Sequence, residues 1–373
     1  MAKPAEGRAP RVWLACDWFV KYTAGLARGL ADAGCPVTLL TRDHDQEFGD
    51  DPGAMRAFID DTVDGAARHL ELGGRVRSLS AVPDVLRLRS ARRRWRSDVV
   101  HLQDSVANDV RLLAASGALL GRYALTVHDP VPHPGESSPS RPKQIMWRTL
   151  RRRASLVFVH SQALREELVA TGDVSAPIVV VQHGAGEAAR APLPADESLL
   201  FFGRMSYYKG LDVLLDAMSL IWDERPQVTL TVAGEGEIQP HEALDDPRVS
   251  VRAEHVPEGD LASLFAAATC VVLPYRQASQ SGVGSLARQH GRAVIATAVG
   301  GLPELVGDDW GRLVAPENPR ALADAVLEVL RTPGLAEEMG RSAAATMADE
   351  IGWRTVAERT LDAYRRHLLR TPA

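Results

Sequence analysis

The sequence predicts an α/β protein of two Rossmann-like, doubly wound domains, each a parallel sheet flanked by helices. Three observations carry this expectation. The chain has 373 residues, more than one ordinary core of roughly 150 residues would use. Short apolar strands alternate with helical stretches in both halves, as successive strand-helix-strand units require. Between the halves, residues 185–198 (AGEAARAPLPADES) are small, contain proline and lack any hydrophobic period, so they read as a linker.

In order, VWLAC (12–16) is the first strand. The loop DWFVKYTAG leads to the helix LARGLADAG, stopped by Gly34, and the strand PVTLLT follows. That unit wants a right-handed parallel crossover. Residues 53–97 read as mostly helical and polar, with room for one short strand. VVHLQDS (99–105) and YALTVHD (123–129) are strands separated by a helical run to Gly121. PVPHPGESSPSRP is too rich in Pro, Gly and Ser to be regular, and a loop of that length inside a domain is usually functional. The basic helix KQIMWRTLRRRA, the strand SLVFVHS, the helix ALREELVATG and the strand PIVVVQHG complete the first domain, 1–184. The second domain, 199–352, repeats the alternation with strands at 199–203, VTLTVAG, VSVRAE, CVVLPY and AVIATA. Its helices are expected at 211–222, in DLASLFAAAT, around 283–290 and at 319–330. The last segment, 353–373, holds a helix expected to return to the first domain.

Composition narrows the function classes. Hydrophobic residues at 45% and charged residues at 24% are ordinary for a globular protein, and a net charge of −5 argues against a general nucleic-acid binder. Cys16, Cys35 and Cys270 are scattered, which suggests neither a zinc site nor a disulfide framework and fits a reducing cytoplasm. The apolar run near the N-terminus is short for a signal peptide, and no segment has the apolar length of a membrane span. Abundant Ala, Arg and Gly fit a GC-rich bacterial genome.

The stretch around which the chain is organised is Leu199–Gly210, LLFFGRMSYYKG. It reads as a buried strand that stops at Gly203, then Arg204, a polar loop and Lys209-Gly210 before a helix. Two cations would thus stand at the C-terminal end of a parallel strand, where the crevice of such sheets takes its ligands. A diphosphate suits them: Arg offers a planar fork, Lys a mobile point charge, and Gly203 keeps bulk away.

FGRMSYYKG, VAGEGE, GDLASLFAAATCVVLPY and GRAVIATAVGGLPELV, in this order, resemble the retaining glycosyltransferases of family four. The resemblance implies the GT-B architecture, with two Rossmann-like domains facing across a cleft and the donor mostly in the C-terminal one. It implies that Arg204 and Lys209 hold and stabilise the departing diphosphate, and that Glu235, His255 and Val256 line the nucleobase. Gly300, Gly301 and Glu304 would lie near the donor sugar, where paired glycines let amides approach closely. His128 falls where the family carries a histidine near the sugar, whereas His101, His160 and His183 are read as structural. His133, in the long loop, is a candidate for acceptor contact.

Two departures stand out. The family usually carries two glutamates with seven residues between them, but this chain has no acid from Tyr275 to Pro303. Gln277 or Ala278 and Ser285 or Leu286 take those places, so donor hydroxyls would be met by neutral groups such as Gln280 and Ser281. Ser281, Gly282 and Val283 still read as a helix N-terminus able to take an anion on its amides. The first loop carries Lys21-Tyr22-Thr23-Ala24-Gly25 in place of a glycine pair, with Lys21 able to add charge on the acceptor side.

Asp43 and Asp45 have the spacing of a divalent-metal pair. The two-domain repeat instead favours a metal-independent architecture in which they face the acceptor. Arg87–Arg96, with six arginines, and Lys143–Arg153, with Trp147, are candidates for contact with an anionic membrane surface. The expectation is a cytoplasmic, metal- and cofactor-independent retaining hexosyltransferase that uses a nucleotide diphosphate sugar and an acceptor hydroxyl. The alternative is a catalytically weakened nucleotide-sugar-binding protein or accessory subunit, motivated by the missing acidic pair. A dehydrogenase is excluded because no GxGxxG follows the first strand.

Overall fold

The computed structural model describes residues 8–42, 46–49, 51–73, 82–117, 121–135 and 138–369. Asp43 and Asp45 lie outside the described residues. The chain forms two units: the first runs to Pro130, then Ser138–Gly184, and resumes from Ile351; the second takes the stretch from Val131 and Ala185–Glu350.

In the first unit, runs of Val, Leu and Ile form β1 (Val12–Ala15), β2 (Val37–Arg42), β3 (Ala67–Leu72), β4 (Val99–Gln103), β5 (Ala124–Thr126), β6 (Leu156–Val159) and β7 (Ile178–Val180). They lie parallel in the order β3-β2-β1-β4-β5-β6-β7, with Val12 opposite both Val37 and Val99. Alternate residues feed opposite faces. Val12 and Leu14 join the core with Leu26, Leu30 and Leu39, whereas Trp13 and Ala15 join Leu40, Leu102, Leu112 and Leu125. The connecting helices are α1 (Val20–Asp32), α2 (Pro52–Val63), α3 (Val82–Trp95), α4 (Val110–Ser116), α5 (Arg141–Arg153) and α6 (Gln162–Ala170).

The second unit holds β8 (Ser198–Phe202), α7 (Leu211–Glu224), β9 (Thr229–Ala233), β10 (Val249–Arg252), α8 (Glu258–Ala266), β11 (Cys270–Leu273), α9 (Gly282–Gln289) and β12 (Ala293–Thr297). α10 (Leu302–Leu305), β13 (Gly311–Val314), α11 (Pro319–Arg331) and α12 (Leu335–Ile351) follow. Its strands are also parallel, ordered β10-β9-β8-β11-β12-β13. In each sheet the order reverses beside the first strand, between β1 and β4 and between β8 and β11, which opens a crevice at the C-terminal strand ends.

The final helix, α13 (Trp353–His367), packs on α1 of the first unit. Trp353 fills a slot between glycines: a Cβ on Gly25 would sit 2.1 Å, and one on Gly184 2.3 Å, from its ring. Further along α13, the Tyr364 hydroxyl meets His101 Nδ1 at 2.5 Å.

α1 begins six residues earlier than the sequence reading placed its helix. Phe19 takes a left-handed conformation (φ 66°), and the Glu47 carboxylate accepts from the amides of Phe19 (3.0 Å) and Val20 (2.6 Å). A cap supplied from a distant segment leaves no local signal, so VKYTAG read as loop although it is helical. Glu47→Ala is expected to destabilise the protein by about 1–2 kcal/mol, the usual loss for a cap, measured as a lower urea midpoint. An unchanged midpoint would remove Glu47 from this role.

Candidate functional site

The C-terminal edge of the second sheet gathers most of the donor-side residues. β8 ends at Phe202, and Gly203 turns the chain with φ 117°, a left-handed value that glycine tolerates. A Cβ there would sit 2.4 Å from Lys209 Nζ, so the bare Cα makes the room the ammonium occupies. The single 3-10 turn Tyr207–Lys209 then leads into α7 through Gly210. Lys209 is 7% exposed, and burial holds its pKa below the ordinary lysine value, with nearby Arg204 acting in the same direction. Arg204 is exposed. The pair therefore comprises a buried lysine and an exposed arginine.

Across the switch point, β11 delivers Tyr275 and Arg276 to the same loop. Lys209 Nζ donates to the Tyr275 hydroxyl at 3.3 Å and lies 5.1 Å from the ring centroid. Arg276 donates through its amide to Tyr208 O (2.7 Å) and through its guanidinium to Tyr207 O (3.0 Å) and Asp212 (2.8 Å), fixing the turn. Ser281 caps α9 by accepting from the Gly284 amide at 3.1 Å, leaving the first amides of that helix at the same edge. The Gln280 side-chain oxygen is buried without a hydrogen-bond partner. An unmatched acceptor of this kind suits a donor hydroxyl.

Around this centre, Glu235 and His255 approach at 3.7 Å on the loops after β9 and β10. Val256 is buried with Ala233 and Leu261. The Gly301 amide donates to Ala278 O at 3.2 Å, which ties the 300–304 turn to the loop after β11, and Glu304 is exposed on it. Gly282, Val283 and Gly300 flank the same edge on the α9 and α10 sides. Among the described residues no group of three or more His, Cys, Asp or Glu is arranged to hold a metal ion.

Comparison with known proteins supplies the family. Residues 20–185 match the description "Glycosyltransferase Family 4", and residues 196–332 match "Glycosyl transferases group 1". The chain belongs to glycosyltransferase family 4. It is 28% identical over 292 residues to a glycogen synthase of Mycobacterium tuberculosis, covering 73% of this chain and 69% of that protein. It is 36% identical over 203 residues to a D-inositol 3-phosphate glycosyltransferase of Streptomyces coelicolor, covering 49% of this chain and 44% of that one. The fold is GT-B. The structure of a sucrose-phosphate synthase from Thermosynechococcus elongatus superposes with a TM-score of 0.72 at 20% identity, covering 96% of this chain and 98% of that one. HepE of Anabaena in complex with UDP-glucose gives 0.74 at 17% identity, covering 96% and 100%.

In this glycosyltransferase the first-unit candidates are less uniform. His128 is 1% exposed; one ring nitrogen meets the Gln103 side chain at 2.9 Å, the other meets His160 at 3.1 Å, and Phe19 stacks on the ring at 3.6 Å. Neither nitrogen faces outward to a hydroxyl in this arrangement. Lys21 lies in the first turn of α1, with Nζ 5.1 Å from the centroid of the Phe48 ring. His133 belongs to the second unit, where it stacks on Tyr208 with centroids 4.3 Å apart. Of the basic stretches, Arg151 is buried and donates to Pro130 O and Asp129 O, while Arg148 and Arg152 pair with Asp173. No helix among the described residues is long and apolar enough to cross a membrane.

Sequence reasoning did not single out Tyr275, Arg276 or Glu47. The available signal was an aromatic hydroxyl and a cation directly after a buried strand, in the text LPYR.

Proposed function

We propose that this glycosyltransferase moves a sugar, with retention and without a metal, from a nucleotide diphosphate sugar to an acceptor hydroxyl. The observation that carries the reading is the buried Lys209 ammonium beside exposed Arg204 and the α9 N-terminus. As the bond from the anomeric carbon to the phosphate oxygen breaks, its electron pair goes to the diphosphate, where fixed positive partners in a dry site stabilise the transition state. The acceptor oxygen then bonds the anomeric carbon from the same face, and its proton passes to the departing phosphate oxygen. Gly300, Gly301 and Glu304 would orient the sugar, and Glu235, His255 and Val256 the base. His128 enters as a buried support. The names of the relatives, with UDP-glucose in HepE, make a UDP-linked hexose the first donor to try.

The binding-protein alternative draws on one observation: where the family pair of acids would stand, Ala278 is buried and Leu286 packs with Val256 and Leu261. Turnover with any donor and acceptor separates the two readings. On the exposed side of α5, Ile145 and Arg148 are the residues that would meet an anionic membrane.

Thermal unfolding with UDP, GDP and ADP tests the donor site. A ligand that binds only the folded protein stabilises it by about 2.7 kcal/mol at a hundredfold excess over its dissociation constant. One nucleotide is expected to raise the midpoint in the wild type and not in Arg204→Ala. No shift with any of the three would sink the donor-site reading.

A further inference from the structure

We propose that Tyr275 is the positioning residue of the donor site, its hydroxyl joining the Lys209 ammonium to the Ser281 cap of α9. This rests on the donor-site reading and names what holds its two cationic parts in register. Tyr275 is 2% exposed, and its backbone is fixed where Thr297 Oγ1 donates to its carbonyl at 2.5 Å. Its ring packs edge-on against Tyr208 with centroids 6.2 Å apart. The adjoining Arg276 grips the main chain of Tyr207 and Tyr208. The side chain is thereby immobilised against the very turn that carries Lys209.

Two contacts meet at its hydroxyl. Lys209 Nζ donates to it at 3.3 Å, and the Ser281 side chain, which accepts from the Gly284 amide, lies beside it and favours its ionised form. A phosphate at this edge would face a point charge and a helix N-terminus, two donors of different origin that bind one group well only at a fixed separation. The tyrosine sets that separation. Its hydroxyl and ring face both also favour the charged lysine, which burial disfavours. Burial pushes the Tyr275 hydroxyl itself up to about 12, so it acts in its neutral form.

The test is calorimetric titration of the full chain with UDP, and with GDP and ADP alongside, from pH 6.5 to 9.5. Wild type, Tyr275→Phe, Lys209→Met and the double variant are compared. Tyr275→Phe is expected to weaken nucleotide binding about tenfold, the scale of one charge-assisted hydrogen bond. The alkaline decline in affinity should begin at lower pH, because Lys209 loses an acceptor that favours its charged form. The groups facing Lys209 are Tyr208, Tyr275 and Arg204. In the Lys209→Met background the tyrosine change should add nothing, an outcome that a general packing defect would not give. Ser281→Ala, which breaks the other half of the link together with the α9 cap, should weaken binding without moving the alkaline limb. Equal affinity and an equal pH profile in Tyr275→Phe, or fully additive losses in the double variant, would overturn the proposal while leaving the donor site standing. A wild type that binds none of the nucleotides would overturn the donor site itself, and the proposal with it.

Discussion

Lys209→Met is expected to lower sugar transfer by about a hundredfold to a thousandfold, the loss seen when one fixed partner of developing negative charge is removed. Its unfolding midpoint should stay level or rise. The two halves of the expectation have one cause. Burial holds the Lys209 pKa below its ordinary value, so the folded protein keeps a poorly hydrated ammonium that the unfolded chain would hydrate fully. Methionine keeps the volume of the stem and discards the charge. A residue that weakens the fold and still occupies the edge of a parallel sheet is doing something other than holding the structure together. Turnover equal to wild type, with any competent donor and acceptor pair, would remove Lys209 from the leaving-group role. A fall in the midpoint would mean that the ammonium stabilises the fold.

What the sequence could say about this site depends on how far apart the partners lie along the chain. Both parallel sheets were legible because their strands are continuous apolar runs such as CVVL and AVIAT, each followed within a few residues by turn signals. The loop with Gly203, Arg204 and Lys209 was legible for the same reason: all its chemistry lies within seven residues after one strand. α1 was read short because its N-terminal amides are capped by Glu47, 27 residues beyond Val20. β13 escaped notice as a four-residue edge strand, GRLV, that is only partly buried. α12 was missed because LAEEMGRSAAATMADEI is rich in Ala and Ser and shows only an indistinct apolar stripe. Tyr275 needs two partners, one 66 residues before it and one six residues after, and no pattern along the chain announces a meeting of that kind.

Acid should unfold the first unit early, and its histidines set the slope. His101, His128 and His160 form the buried histidine layer, 1%, 1% and 3% exposed, in which His160 meets His128 and His101 stacks on Phe158. Burial lowers all three pKa values, His101 to about 3, His160 to about 4, and His128 well below the ordinary range. Their neutrality also fixes the hydrogen bonds. His160 Nδ1 must donate to Val181 O, so its Nε2 accepts from His128 Nδ1, and His128 Nε2 then requires a donor. Gln103 meets that need if its amide nitrogen, otherwise buried without a partner, is turned towards His128. Below pH 6.5 the unfolded chain gains protons on these residues that the folded chain refuses, so stability is complete above pH 6.5 and falls as the pH drops towards 4. Asp104 opposes them: burial raises its pKa to about 7, so the folded state there holds one proton more than the unfolded state. His183 is lowered to about 3 as well and buried Glu47 is raised alongside Asp104, so the depressed histidines outnumber the raised acids and unfolding takes up protons near pH 5, where stability falls with the pH. Urea midpoints measured from pH 7.5 to 4.5 would show it. Asp104→Asn should steepen the decline and His160→Gln should flatten it; a flat profile between pH 6.5 and 5 would mean that the histidine layer is already charged in the folded protein.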